Sequence, residues 1–247
     1  MLNVRSLLRG AGAVRAAAAR AQVCLFATGP RQEDSKFYEF RTYNIKPSMM
    51  KEFMKLSQEH VPRYTAYAEL IGYWIVDLGI LNKVLHIWKY DSFAHRTEAQ
   101  RKSLQDQEWQ EKMISKALPM LDKICVEVAY LVPWCQLGKP EKAGMYEMVT
   151  FQMKQGGPAI WGEAFKTIIN THVSTDYNKL IGVFHTEYGL LSKVHVLWWY
   201  ENADSRASGR HLSHEDPRMV AAVRESLSFV ESQQNMLLIP ALFSPLK

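Results

Sequence analysis

Hydrophobic and polar residues alternate along the segment FYEFRTYNI, which begins at Phe37. A period of two places successive side chains on opposite faces, so this segment is predicted to be a β-strand. The runs GYWIVDLG, from Gly72, and KVLHIWKY, from Lys83, are also rich in β-branched and aromatic residues, and the short turn between them contains Gly and Asn. Together they predict a β-hairpin. The run VEVAYLVP, which ends at Pro133, predicts one more strand.

Two helical segments are predicted between these strands. The first follows Pro47 and carries apolar residues near one face, namely Met50, Phe53, Met54 and Val61. The second is expected from about Ser92 to Leu121, with a break near Gln107. The resulting order, β-α-β-β-α-β, is that of the ferredoxin-like unit.

The chain contains this unit twice. Residues 70–96 and 180–206 are identical at roughly 10 of 27 aligned positions without a gap, a similarity that marks an internal repeat. The likeness continues upstream, where YEFRTYNIK from Tyr38 resembles YEMVTFQMK from Tyr146. The predicted organisation is a first ferredoxin-like repeat over residues 37–134, a linker containing Gly and Pro over 135–144, and a second repeat over 145–247.

The hairpin strand KVLHIWKY carries apolar side chains on both faces. Its even-numbered residues, His86 and Trp88 among them, point to one side, whereas Leu85 and Ile87 point to the other. Helices cover one face of a ferredoxin-like sheet, so the other face needs a second cover. We expect that cover to be the sheet of the sister repeat, which predicts an α+β fold, a dimeric-type α+β barrel formed within one chain. The face that carries His86 is expected to lie inside the barrel.

Aromatic residues on that face form the candidate ligand site. An apolar pocket between the sheets is expected to be lined by His86, Trp88, Tyr90, Trp198 and Tyr200. The alternative is that these side chains are ordinary core. The counterpart of His86 is Val196, so the histidine is either a general base or ligand in one pocket, or a buried structural residue, and the pattern favours the structural role.

The sequence lacks the motifs of common enzymes and cofactor sites: GxGxxG, the P-loop, GxSxG, HExxH and paired CxxC are all absent. We therefore predict no catalytic residues and no cofactor, and favour a protein that is not an enzyme. In RHLSHEDPR, His211 and His214 lie beside two acidic residues. This cluster is either a metal site or the exposed end of a helix before Pro217; we expect the second, with no metal.

Two arginines recur at equivalent positions of the repeats. Arg96 and Arg206 each lie six residues after a tyrosine, Tyr90 or Tyr200. Each arginine either clamps an anion or pairs with a nearby acid beside a helix that a Ser or Asn caps. The pattern favours pairing with an acid.

The charge of the chain is concentrated in residues 1–30. Four arginines there supply most of the formal net charge of +5, and no acidic residue precedes Glu33. The rest of the chain is nearly neutral, so no nucleic-acid partner is expected. A leader rich in Ala and Arg and free of acids is typical of a mitochondrial transit peptide, and a plain disordered tail is the alternative. The three cysteines form no CxxC, which suits a reducing compartment. The apolar runs are too short to span a bilayer.

The phrases GYW…NKVLHIWKYDSFAHR and GVFHTEYG…VHVLWWYENADSR, with the terminal QQNMLLIPALFSPLK, resemble the NIPSNAP family, and its branch numbered three most of all. The resemblance covers essentially the whole chain after the leader. It implies the tandem ferredoxin-like barrel, association with mitochondria, in the matrix or at a membrane, and a non-enzymatic adaptor role in vesicular traffic or mitophagy. Autophagy or trafficking proteins would then be partners. A cytosolic location and a homo-oligomer stay open, as does the alternative of a barrel that binds a small apolar ligand or resembles monooxygenases.

Overall fold

The computed structural model describes residues 35–174 and 177–247, so the leader predicted over residues 1–30 lies outside the described residues. The strands of this part are β1 (Phe37–Ile45), β2 (Glu69–Leu78), β3 (Lys83–Tyr90), β4 (Leu121–Leu131), β5 (Met145–Met153), β6 (Lys179–Tyr188), β7 (Lys193–Tyr200) and β8 (Val230–Pro240). The helices are α1 (Met50–Tyr64), α2 (Phe93–Gln105), α3 (Gln107–Trp109), α4 (Ser115–Ala117), α5 (Pro158–Val173), α6 (Ala203–Ser213) and α7 (Pro217–Ser226).

The strands form a closed barrel in the order β1-β3-β2-β8-β5-β7-β6-β4. Each repeat contributes a ferredoxin-like sheet, β4-β1-β3-β2 from the first and β8-β5-β7-β6 from the second. Antiparallel pairing of β2 with β8, and of β4 with β6, joins the two sheets edge to edge. The predicted fold, a tandem pair of ferredoxin-like units closed into a barrel, is confirmed. Closure pairs strands that would be edges in an isolated unit.

The helical region after β3 breaks at Asp106. This residue ends α2 in an extended conformation, and its carboxylate accepts a hydrogen bond from the backbone N–H of Trp109 at 3.1 Å. An acceptor at this position satisfies one of the free N–H groups of the next helical segment. The predicted break near Gln107 is confirmed, and a π-helical turn, Gln110–Ile114, continues the segment towards β4. Within the described residues, we find no helix with the length and apolar character needed to cross a membrane.

The repeated phrase encodes a hairpin with a fixed turn. In the first repeat Gly79 has φ +106° and Asn82 has φ 57°; in the second, Gly189 has φ +125° and Ser192 has φ 59°. The glycine positions favour a residue without a Cβ atom. A Cβ on Gly79 would also lie 2.8 Å from the backbone oxygen of Asn235 on β8. The absence of a side chain at Gly79 therefore lets the turn pack closely against β8 of the sister repeat.

The barrel lumen is a hydrophobic core to which both repeats contribute. Phe184 of β6 is fully buried there, and its ring contacts those of Tyr38 and Phe40 on β1, with centroid separations of 5.0 and 5.1 Å. Leu85 and Ile87 of β3 belong to the same cluster. The two repeats thus share this lumenal core, in addition to the separate helix-covered cluster beside each sheet.

The predicted orientation of β3 is wrong. Trp88 and Tyr90 belong to the cluster between the first sheet and its helices, with Phe53, Tyr64 and Trp109, and not to the lumen. His86, on the same strand face, also lies under the helices. A period of two separates the two faces of a strand, but when both are apolar it does not say which one the helices cover.

Candidate functional site

The five predicted ligand-site residues do not line one pocket between the sheets. His86 and Trp88 line a cavity between the sheet and the helices of the first repeat. Trp198 and Tyr200 line a separate, smaller cavity at the equivalent place in the second repeat. Tyr90 is buried in the first-repeat cluster, where its hydroxyl reaches the floor of the larger cavity. The five residues are therefore divided between two cavities, which lie on the helix-covered faces of the two sheets.

The larger cavity, here called the helix–sheet cavity, has a volume of about 480 Å³. Strands β1, β3 and β4 form one wall, and α1 together with residues 96–118 forms the other. Four apolar side chains on its rim are exposed to solvent: Leu104, Leu118, Ile124 and Val126. The volume would hold roughly 15 non-hydrogen atoms, at the ~30 Å³ that a water molecule occupies in the liquid. It falls in the size range of sites for small organic ligands.

A buried carboxylate and two arginines form the floor of the cavity. Glu39 of β1 is fully buried and accepts hydrogen bonds from Arg41 Nε, at 2.5 Å, and from Arg96 Nε. Arg41 Nη2 also donates to the hydroxyl oxygens of Tyr90, at 3.2 Å, and Tyr64, at 3.5 Å. One carboxylate thus serves two guanidinium groups. Glu39, Arg41 and Arg96 are the carboxylate and guanidinium groups that line the cavity, so the lining carries one positive charge in excess.

His86 lies directly opposite Arg41 in the β1–β3 register. Its Nδ1 accepts a hydrogen bond from Trp88 Nε1 at 2.7 Å, and its ring stacks on Tyr73 at 4.8 Å. Burial, together with the charge of Arg41, places the pKa of His86 well below its ordinary value, so the imidazole is neutral at pH 7. Indole N–H can only donate, which leaves the imidazole proton on Nε2. Among the described residues, this buried Nε2 has no hydrogen-bond partner.

The second repeat lacks this polar pair. Val149 and Val196 face each other in the β5–β7 register where the first repeat has Arg41 and His86. Its buried carboxylate, Glu147, pairs with the single guanidinium of Arg206. Tyr200 and Asn235 complete the hydrogen bonding of Glu147, at 3.0 and 2.7 Å. The cavity beside them has a volume of only about 70 Å³, and Arg210 at its border is exposed. Sequence duplication has therefore produced one open and one nearly filled site.

The repeated arginines pair with acids, as the sequence favoured. Arg96 bonds Glu39 and Arg206 bonds Glu147, which ties the first turn of α2 or α6 to the first strand of its repeat. Ser92 caps α2 by accepting from the backbone N–H of His95, and Asn202 caps α6 in the same way. Both parts of the interpretation, the cap and the ion pair, are confirmed. The pairing is a property of the fold and is shared by both repeats.

Arg41 is the residue that sequence reasoning missed. In the alignment of YEFRTYNIK with YEMVTFQMK, Val149 occupies the position equivalent to Arg41. The second repeat thus has an apolar side chain in the middle of a strand where the first has a cation. That contrast was visible in the sequence, as was the pair His86 and Val196. The sequence does not show that the two contrasts belong to one site, because only strand pairing brings Arg41 and His86 side by side.

A second polar group lies in the barrel lumen. His195 lies in the lumen, where its ring stacks on Phe40 at 4.9 Å. Its Nδ1 is 2.9 Å from Thr150 Oγ1, and its Nε2 is 3.3 Å from a carboxylate oxygen of Glu127. Lys193 also bonds Glu127. These residues border a cavity of about 200 Å³.

Glu127 should make the stability of the protein depend on pH. Burial alone would raise its pKa, but His195 and Lys193 oppose it and bring the pKa to about 2. An unfolded glutamate titrates near pH 4.3, so the stabilisation is complete above about pH 5 and is lost as the pH falls towards 2. We expect Glu127→Gln to reduce the free energy of unfolding by about 2–3 kcal/mol at pH 7, at 1.36 kcal/mol per pKa unit, and by about half as much at pH 3.

Urea denaturation of both proteins at pH 7 and pH 3 measures this difference. Glu69→Gln is the control, because Glu69 forms an exposed ion pair with Lys89 and should change stability by less than about 1 kcal/mol. A Glu127→Gln effect of the same size at both pH values would contradict the assigned pairing.

Metal ligands are not clustered in the described part of the chain, where no group of three or more His, Cys, Asp or Glu side chains is suited to hold an ion. His211 belongs to the last turn of α6, and His214 follows the helix as its C-cap. Asp216 caps α7 and bonds the backbone N–H of Arg218 at 2.8 Å. The segment RHLSHEDPR thus forms the junction between two helices.

Comparison with known proteins gives concordant results. The NIPSNAP family model matches twice, over residues 38–136 and 146–245. Protein NipSnap homolog 3A of Pongo abelii and that of Homo sapiens are each 59% identical over 249 residues, covering 100% of both chains. Among solved structures, a candidate monooxygenase from Lactobacillus acidophilus aligns with a TM-score of 0.60 at 12% identity, covering 84% of this chain and 95% of that one. At this identity the likeness concerns the fold alone.

Proposed function

Because the chain belongs to the NIPSNAP family, with both repeats matching the family model, we propose that it is a ligand-binding member of that family. It holds a small, largely apolar molecule in the helix–sheet cavity of its first repeat. The observation that carries this proposal is the asymmetry of the repeats: the cavity is about 480 Å³ in the first and about 70 Å³ in the second.

The asymmetry matters because the fold itself does not require the cavity. The second repeat has the same strand order and the same buried Glu–Arg pair, yet its side chains fill most of the space. Protein interiors are close-packed, and unfilled volume is destabilising. A cavity that the sister repeat has nearly closed is therefore best explained by an occupant.

A neutral, apolar fluorophore tests the proposal. We expect prodan to bind the full chain at one saturable site, with the blue-shifted emission of an apolar environment. Ala117 is buried and lines the helix–sheet cavity, so Ala117→Phe should occupy the space and abolish binding. Ala222 is equally buried on α7, away from this cavity, and Ala222→Phe is the matched control that should bind as the parent does.

Circular dichroism confirms that both variants fold before the titration is interpreted. Equal loss of prodan binding in both folded variants, or its retention in Ala117→Phe, would contradict the proposed site. Native mass spectrometry of the chain purified gently from cells adds an independent reading. A stoichiometric extra mass that Ala117→Phe loses is the expected result.

A second candidate function is the mitochondria-associated adaptor role in vesicular traffic or mitophagy. The favouring observation is a set of exposed apolar side chains at the hairpin turns of both repeats: Leu78, Ile80, Leu81, Tyr188, Leu190 and Leu191. Exposed apolar side chains grouped in this way are typical of surfaces that bind other proteins. The composition of residues 1–30 supports a mitochondrial location.

Cell imaging and proximity labelling test this role. The full chain should co-localise with mitochondria, and deletion of residues 1–30 should release it to the cytosol. Replacing Ile80, Leu81, Leu190 and Leu191 by Ser should remove a reproducible set of labelled partners, whereas Leu227→Ser, also highly exposed, should not. An unchanged location or an unchanged partner set would contradict the corresponding part of the proposal.

A further inference from the structure

We propose that the molecule bound in the helix–sheet cavity is a carboxylic acid, held as its carboxylate between Arg41 and His86, with its apolar body towards the rim. This inference rests on the function proposed above and specifies its ligand class. It is carried by three features of the cavity: the charge of its lining, the kind of hydrogen-bonding group left unpaired, and the distribution of apolar side chains.

The charge of the floor calls for an anion. Glu39 neutralises one of the two guanidinium groups that bond it, so Arg41 and Arg96 together leave one positive charge in excess. In the second repeat Glu147 pairs with one part-buried guanidinium, that of Arg206, and the other arginine at that cavity, Arg210, is exposed to solvent. Both guanidinium groups of the first repeat are largely removed from solvent, and an excess charge in such a place is costly unless something compensates it. A ligand with one negative charge would supply the counter-charge that Arg41 and Arg96 otherwise share in Glu39 alone.

The unpaired hydrogen-bonding group is a donor. Trp88 fixes the His86 tautomer with the proton on Nε2, and this N–H finds no acceptor in the described residues. Arg41 lies opposite and carries only donors. Facing residues of two paired strands have their Cβ atoms about 5 Å apart, which allows two oxygens of one carboxylate to meet both groups. An ammonium group has no lone pair and so could accept a hydrogen bond from neither donor.

Arg41 is held in place without a ligand. Its guanidinium lies over the rings of Tyr64 and Trp88, 5.4 and 5.8 Å from their centroids. Cation–π contacts of this kind stabilise a partly buried cation. The Arg41 guanidinium is therefore already in position before the ligand arrives, which reduces the conformational entropy lost on binding.

The remaining walls suit an apolar body. Val61, Trp109, Met113 and Ala117 are buried along the cavity, and the exposed side chains of its rim are apolar as well. A fatty or aryl carboxylic acid combines one anionic head with such a body. The contrast between the repeats strengthens the assignment, because Val149 and Val196 remove both the charge and the donor from the second site.

The test is displacement of prodan by a matched pair of compounds, decanoate and its neutral isostere decanamide. The two have the same shape and differ at the head group. For the parent chain we expect decanoate to displace prodan at a concentration at least tenfold lower than decanamide. Arg41→Val and His86→Val place in the first repeat the residues that the second repeat already has, which favours correct folding.

We expect Arg41→Val to abolish the preference for decanoate while leaving decanamide binding within about twofold, and His86→Val to reduce the preference. Arg101→Val, which removes an exposed arginine of α2 outside the cavity, is the control and should keep it. Prodan binding with equal displacement by both compounds, or stronger displacement by decanamide, would overturn the carboxylate assignment and leave the proposed function standing. Absence of prodan binding to the parent chain would instead contradict the proposed function. The comparison on the parent chain decides the ligand class even if a variant does not fold.

Discussion

Glu39→Gln is expected to lower the free energy of unfolding by about 3–5 kcal/mol, the loss typical of removing one partner from a buried ion pair. Glu39 is fully buried and bonds both Arg41 and Arg96. An amide in its place keeps the shape of the side chain but leaves two guanidinium groups without a counter-charge. The Arg41 side chain is only 15% exposed, so its guanidinium recovers little hydration by a small movement.

Chemical denaturation of the parent chain, Glu39→Gln, Arg41→Val and the double variant measures this coupling. The double variant lacks one of the two unpaired cations. Its loss of free energy of unfolding should therefore be smaller, by at least about 1 kcal/mol, than the sum of the losses in the two single variants. Glu98→Gln is the control, because Glu98 pairs with Arg101 on the exposed surface of α2. Strict additivity, or a Glu39→Gln effect no larger than that of the control, would show that the carboxylate does not balance the arginines.

Phe184→Ala is expected to destabilise the protein by about 3–5 kcal/mol, as truncation of a fully buried aromatic side chain does. Phe184 belongs to the second repeat, and its ring packs against Tyr38 and Phe40 of the first. The loss should therefore be felt by both repeats together, in one cooperative transition observed by fluorescence and by circular dichroism.

Leu190→Ala is the matched control for this measurement. Leu190 lies at a hairpin turn of the same repeat with its side chain exposed, so the change should stay within about 0.5 kcal/mol. Two separate transitions in Phe184→Ala, with one repeat unfolding before the other, would contradict a shared lumenal core.

Duplication offers a physical account of how the two repeats divide their roles. Both keep the hairpin, the capped helix and the buried Glu–Arg pair, which are properties of the fold. Only the first places Arg41 beside His86 under its helices, and the second uses two valines there. Both sheets are needed to close the barrel, but one helix-covered face is enough for a binding site. The second repeat could therefore fill the space under its own helices with side chains.

Much of the fold follows from local patterns that the sequence displays directly. Alternation in FYEFRTYNI and KVLHIWKY identifies β1 and β3, Gly79 and its counterpart mark the turns, and the repeat of the whole unit implies two sheets. An apolar strand face without a cover then requires the sister sheet, and this was enough to predict the barrel. These inferences succeed because strand period, turn conformation and burial are set by short stretches of chain.

The site could not be predicted in the same way. His86 and Trp88 were recognised as candidates, but they were assigned to the lumen and grouped with Trp198 and Tyr200, which line a different cavity. Arg41 was not recognised, although its contrast with Val149 stood in the alignment. A site depends on which side chains meet across strands and under helices, and that information is not local.

The sequence by itself determined the two repeats, the order of strands and helices along each and the hairpin turns, because each rests on spacing within one short segment or on identity between two. It favoured an acid partner for Arg96 and Arg206, but only the structure identified the partners as Glu39 and Glu147 on distant strands. Only the tertiary structure decided which face of each sheet the helices cover, how much space remains beneath them, and that Arg41 lies opposite His86. Two apolar strand faces look alike in a pattern of period two. They become different only when the helices pack on one face and the sister sheet on the other, and side chains from distant segments then either fill the space or leave it open.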